Sequence, residues 1–243
     1  MFAIRSVPET GSTNHDALAI LGEPGSAGVV LLTDYQRAGR GRRARAWVAP
    51  PGSALLFTAI LPEPLASSAL WALPFWTALG VADGIERRTG LRAGLQWPND
   101  LLLEGRKCCG ILCVSRVAGE RAWTGCGVGL NVNRPPNDEQ LAEIVPPPAF
   151  LSDSAGTLER GALLDAILAA FERRFGDLDE PRAIARAWEA RAGLAGTRYR
   201  LLLDGSSEPF EATARGLGED GALLIDEGAG TRAIALAEAR VLR

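Results

Sequence analysis

Apolar and polar positions along this chain follow two different spacings, and the points where one gives way to the other divide it into elements. Ser12-Thr13-Asn14 is a polar cap leading into Ala17, Leu18, Ile20 and Leu21, a short helix that Gly22 and Pro24 end. Residues 29–33 are a β-branched and apolar run, which predicts a buried strand. Residues 35–45 follow neither spacing, with two glycines, five arginines and no aliphatic side chain larger than alanine. A strand is expected over 54–61, then one long apolar helix over 67–88 that Gly90 terminates, with Pro74 bending it or lying in its first turns. Strand-like runs at 94–103, 108–117 and 122–132, punctuated by Glu104-Gly105 and Gly119-Glu120, predict a meander of hairpins.

A Pro-rich connection over 135–148 surrounds a short helical stretch at 138–144, and helices follow at 158–175 and 181–192, the second with Pro in its first turn. The spacing changes at Ala192-Gly193-Leu194-Ala195-Gly196. Beyond it, runs at 199–203, 210–217, 222–226 and 232–236 are short strands with turn residues between them, the pattern of a small β-barrel. Residues 1–193 are expected to form one domain and 196–243 a second, with no internal repeat.

Composition narrows the class. At 243 residues and 47% hydrophobic content the chain is long enough for a substantial core. A net charge of -3 argues against a dedicated nucleic-acid binder, so any basic function must be local. No apolar stretch is long enough to span a bilayer and the first 30 residues do not resemble a secretory signal, which predicts a cytoplasmic protein without a membrane partner. Cys108, Cys109, Cys113 and Cys126 lack paired CxxC spacing, and His15 is distant; buried free thiols are expected rather than a zinc site. Of the 26 basic residues all but one are Arg, and Lys107 is the single Lys. Arg substitutes for Lys wherever a solvated charge suffices, but not where a compact ammonium must sit between anionic oxygens.

Three segments could carry chemistry. In Gly39-Arg40-Gly41-Arg42-Arg43-Ala44-Arg45, glycines let the backbone approach a ligand closely, and a polyanion would relieve the repulsion between guanidiniums. A phosphate-bearing small molecule fits, and a solvated basic loop has the same signature. Gln96-Trp97-Pro98-Asn99-Asp100 precedes the turn at Glu104-Gly105. A two-residue turn pairs Leu103 with Arg106 and Leu102 with Lys107, which puts Asp100 on the face of Lys107 about 7 Å away at the backbone; a longer turn breaks the pairing. A carboxylate and an ammonium beside Asn99 outline an anion and metal site, an outline shared by a simple surface ion pair. Gly125, Gly127 and Gly129 weaken a strand unless something lies against its backbone, bulges being the alternative.

Taken in order, Gly11-Ser12-Thr13-Asn14, the run from Asp34 to Arg43, Trp97-Pro98-Asn99-Asp100 with Gly105-Arg106-Lys107 and Gly110-Ile111-Leu112, and Gly127-Val128-Gly129-Leu130-Asn131 resemble the biotin protein ligases over nearly the whole chain. The resemblance implies an α+β fold: a mixed β-sheet catalytic domain flanked by helices, with a small C-terminal Src-homology-3-like β-barrel. It implies adenylation of biotin by ATP with Mg2+, then transfer to a lysine of the biotin carboxyl carrier protein of acetyl-CoA carboxylase. Lys107, Arg42 and Asp100 are the catalytic residues it implies, with Asp100 also toward the metal. Ser12, Thr13, Asn14 and Gln36 match the biotin-binding polar groups. Arg40, Gly41 and Arg42 match the loop over the adenylate, Trp47 the adenine side, and Asn99, Asn131 and Gly110 the region of the phosphates and ribose. The chain departs from the usual pattern at Ala44, where Gly is common, at Gln96, where Lys is common, and in having no room before Pro8 for a winged-helix DNA-binding domain, so no repressor role and no nucleic-acid partner are expected. A homodimer is compatible with the resemblance. The related lipoate or octanoate ligases and transferases are the rival reading, which the Arg-Gly-Arg loop and Trp-Pro-Asn-Asp disfavour.

Overall fold

A computed structural model describes the chain at every residue except Asp138, Gly228, Ala229 and Arg243, and apart from the side chain of Gln140. Among the described residues the elements are β1 (Ala3–Thr10), α1 (Thr13–Ile20), β2 (Val29–Gln36), β3 (Ala54–Ile60), β4 (Leu65–Ala66), α2 (Leu73–Thr89), β5 (Gly94–Gln96), β6 (Asp100–Leu103), β7 (Arg106–Ala118), β8 (Arg121–Asn131), α3 (Ser152–Ala155), α4 (Arg160–Arg173), α5 (Pro181–Ala192), β9 (Arg198–Leu203), β10 (Phe210–Leu217), β11 (Leu223–Asp226), β12 (Thr231–Ile234) and β13 (Ala239–Leu242). The first sheet runs β1-β2-β3-β8-β7-β6-β5, with β4 beside β8. β1 is parallel to β2 and the other pairs are antiparallel, so the sheet is mixed as expected. The second sheet, β12-β11-β10-β9-β13, is antiparallel, consistent with the small barrel.

Proline accounts for two departures from the expected elements. Residues 67–88 do not form one helix. A 3-10 segment, Ser67–Ala72, precedes α2, because Pro74 has no N–H for the turn before it and instead occupies the first turn of α2. Residues 94–103 are likewise two strands, β5 and β6, since Pro98 cannot donate to a ladder; the chain reverses there, pairing Gln96 with Asp100. The helix expected over 138–144 starts outside the described residues, and a single 3-10 turn, Glu139–Leu141, follows. β1 and β13 were not signalled by the pattern of apolar positions. β1 is an edge strand exposed along nearly its whole length, and β13 is only four residues long.

α2 is buried on nearly all sides, between the sheet, α4 and α5. Gly80 and Gly84, one turn apart, allow α4 this close: a Cβ at either would stand about 2.5 Å from Phe171 or Ile167. The apolar core then continues without a break from Phe57, Leu79 and Trp97 into Leu201, Leu223 and Ile234 of the second sheet. Trp97 Nε1 donates to the Gly221 carbonyl at 3.1 Å across that junction. α1 covers the other face of the first sheet, and the face beside it is open. Among the described residues, no helix is long and apolar enough to cross a membrane.

Candidate active site

The floor of the open face is the glycine stripe of β8. Its register with both β3 and β7 is unbroken, so the glycines are not bulges. They are required by close approach: a Cβ on Gly127 would lie 2.2 Å from Asn14 Oδ1, and one on Gly129 would lie 2.5 Å from Trp47 Cε2. The polar end of α1 is fixed against this floor. Thr13 donates its backbone N–H to Gln36 Oε1 at 2.9 Å, Asn14 Nδ2 donates to the Leu112 carbonyl at 2.9 Å, and Thr58 Oγ1 lies 2.7 Å from Asn14 Oδ1 and 2.9 Å from Thr13 Oγ1. Ser12 and Thr13 are nearly fully buried. The result is a rigid cluster of donors and acceptors with little freedom to reorganise around a polar ligand.

A second cluster forms where β6 turns into β7. The two-residue turn holds, with Leu103 opposite Arg106 and Leu102 opposite Lys107. A bulge at Cys108 then brings Gly110 opposite Asp100. Lys107 Nζ sits 2.7 Å from Asp100 Oδ1 and 5.5 Å from the centre of the Trp47 ring, a cation held between a carboxylate and an aromatic face. Gly110 leaves the space: a Cβ there would stand 3.1 Å from Lys107 Nζ and 2.9 Å from the Trp47 ring. Asn99 is fixed to β7 by Nδ2 donating to the Ile111 carbonyl at 2.6 Å, and Asn131 is fixed to the connection before α3 by Nδ2 donating to the Ala149 carbonyl at 3.2 Å.

The arginine segment arches over both clusters. Trp47 N donates to Gly39 O and Gly41 N to Arg45 O, closing the loop at its base; a Cβ on Gly39 would lie 2.6 Å from the Trp47 carbonyl. Arg42 reaches Asn99 Oδ1 at 3.5 Å. Burial, and after it the charge of Arg43, pull Arg42 below the usual guanidinium range. Because guanidinium keeps its proton regardless, this describes a partly desolvated cation that an incoming anion would stabilise. Arg43 and Ala44 both have φ near +58°, a left-handed conformation costing roughly 1–3 kcal/mol each in non-glycine residues.

Every candidate residue named from the sequence lines one cleft of about 340 Å³: the Ser12-Thr13-Asn14 and Gln36 cluster, Arg40 to Arg42 with Trp47, the Asn99-Asp100-Lys107-Gly110 corner, and Asn131. Among the described residues its lining holds six cations, Arg40, Arg42, Arg43, Arg45, Lys107 and Arg240, against one carboxylate, Asp100. A chain of net charge -3 has concentrated its positive charge here. Ala239, Arg240 and Val241 of β13 also line the cleft, and nothing in their sequence signals it. Thr58 could have been found: it is the one polar residue in β3 and is fully buried, so it needs partners. The cysteines are free thiols, three of the four buried: burial pushes the Cys108 thiol up to about 12, and Cys109 is raised well above its ordinary value by the same cause.

A mixed sheet with an arginine loop over a lysine–aspartate pair defines a class of enzyme whose cleft is built to bring anionic groups together. The family model described as biotin/lipoate A/B protein ligase matches residues 8–133, and the chain belongs to that family. It is 34% identical to the biotin–[acetyl-CoA-carboxylase] ligase of Paracoccus denitrificans, over 94% of this chain and 96% of the relative. It is 31% identical to the bifunctional ligase/repressor BirA of Bacillus subtilis, over 92% of this chain and 69% of the relative. The biotin protein ligase of Aquifex aeolicus, solved in complex with biotin and ATP, shares the fold with a TM-score of 0.78 and 24% identity, covering 99% of this chain and 98% of that one.

Proposed function

We propose that this chain is an ATP-dependent biotin–protein ligase that activates biotin to biotinyl-5'-adenylate and passes it to a lysine of the biotin carboxyl carrier protein of acetyl-CoA carboxylase. The observation that carries it is the Lys107–Asp100 pair in a cleft lined, among the described residues, by six cations and one carboxylate. In the first step an oxygen of the biotin carboxylate forms a bond to the α-phosphorus of ATP, and the bond from that phosphorus to the β-bridging oxygen breaks, releasing pyrophosphate. Two anions must meet for this, and cations fixed around the cleft cancel their repulsion. Lys107 is the group that touches both, since a compact ammonium can stand between two oxygens where a guanidinium fork cannot. Arg40 and Arg42 cover the phosphates, and Gly41 and Gly110 leave room for backbone and ligand to approach.

Ser12, Thr13, Asn14 and Gln36 take the ureido head of biotin, a role supported by their fixed and mostly buried network. Trp47 lies toward adenine, Asn99 and Asn131 toward phosphate and ribose. Among the described residues one carboxylate, Asp100, lines the cleft, which suits magnesium as an ion arriving with the nucleotide; Asp100 would hold it together with phosphate oxygens, where it adds charge neutralisation. In the second step the carrier lysine bonds to the acyl carbon, the acyl–oxygen bond breaks, AMP leaves, and Asp100 takes the amine's proton. Residues 1–193 are read as the catalytic unit and 196–243 as a second unit packed on it. Four free thiols support a reducing, cytoplasmic setting. A homodimer is also part of the proposal, supported by residues 115–118 of β7, which pair only with β8 among the described residues and are exposed.

Incubation with ATP, magnesium, carrier protein and either biotin or lipoate tests the activity: labelling with biotin alone is expected, and labelling with lipoate alone overturns the assignment. Lys107→Arg should fold normally and lose biotin-dependent exchange of pyrophosphate into ATP by about a hundredfold or more. Exchange near the wild-type rate would remove Lys107 from the chemistry.

A further inference from the structure

The arginine loop is tied to the second sheet. Arg43 engages both carboxylate oxygens of Asp204, which follows β9, with Nη2 standing 2.8 Å from Oδ2, and the same nitrogen donates at 2.6 Å to the Ala237 carbonyl. Arg42 beside it donates to the Leu236 carbonyl. The acceptors are themselves joined, since Asp204 N donates to the Glu238 carbonyl at 2.8 Å, bonding the turn after β9 to the one before β13. A forked guanidinium with three acceptors is a far more directional contact than an ordinary surface pair. It also acts on the one stretch of the loop where two consecutive non-glycine residues hold positive φ, a conformation that persists only where surrounding contacts fix it.

We propose that Asp204 is a positioning residue. By clamping Arg43 to the second sheet it keeps the loop folded down with Arg42 facing Asn99 across the cleft, and so sets how long the activated intermediate is retained. The retention half of this rests on the function proposed above; the clamp itself does not. Asp204 touches no reacting atom and acts only through Arg43. Its side chain is 61% exposed, so its removal leaves the core of the second sheet intact.

The test uses the full chain carrying Asp204→Asn, Asp204→Ala or the conservative Asp204→Glu. Without substrates, each is digested briefly with trypsin and cleavage within residues 40–45 is followed by mass spectrometry; adenylate release is then measured after loading with biotin and ATP. The Asn and Ala variants should be cleaved in the loop about tenfold faster and release adenylate about tenfold faster, with unchanged circular dichroism, while the Glu variant stays near wild type. Wild-type cleavage rates in both Asn and Ala variants overturn the clamp, whatever the substrate is. Faster cleavage with unchanged release overturns its role in retention. Failure of the wild-type protein to form any biotinyl-adenylate overturns the functional assignment, and the proteolysis still decides the clamp.

Discussion

Glycines 110, 127 and 129 hold the geometry of the cleft by what they lack. Each stands where a methyl group would collide with a side chain, and at two of them that side chain is Trp47. Gly129→Ala should therefore displace the indole rather than unfold the strand, raising KM for the substrates about tenfold or more at a stability cost of roughly 1–3 kcal/mol. Tryptophan fluorescence and exchange kinetics measure the two effects; unaltered kinetics would mean that the indole position is irrelevant to binding. At this scale the sequence was highly legible. Lys107 stands out by composition, and the spacing of Asp100 about a two-residue turn is enough to put both on one face. What spacing did not reveal was the bulge at Cys108, because no glycine or proline stands there to mark the extra residue between the Leu102–Lys107 and Leu101–Cys109 pairs.

Among the elements, the arginine segment is the one whose conformation is set from outside. Its residues have no apolar face to bury, so its shape comes from its closed base and its contacts with the second sheet, which is why no periodicity forecast it. Ala44 is strained there, with φ +57°. Ala44→Gly should relieve that strain and raise stability by roughly 0.5–1 kcal/mol after the greater chain entropy of glycine is counted, read as a higher urea midpoint. A lowered midpoint would show that the left-handed turn is held at no cost. Elements with strong apolar patterns were forecast well: α5 and β10 have the bounds expected from sequence. The failures cluster at prolines inside otherwise regular runs, where a missing N–H outweighs the apolar pattern.

At the scale of the molecule, the composition change near Gly193 separates two sheets but not two cores. Phe75 packs against Gly221, Trp97 bonds to the same residue, and the buried apolar cluster runs through the junction. Unfolding of the intact chain should accordingly be one cooperative transition by calorimetry, and residues 1–193 expressed alone should be unstable, since each aromatic laid bare costs about 1.5–3 kcal/mol. Two separated transitions would show that the sheets are energetically independent. The same whole-chain view gives the single lysine a further meaning. An acyl adenylate that escapes the cleft acylates nearby primary amines, and the ε-amine is the commonest such group on a protein surface. In this chain the only ε-amine is inside the cleft, paired with Asp100. Outside the cleft, therefore, the enzyme presents no ε-amine of its own to an intermediate that leaks from it, which meets its lysine acceptors on other proteins.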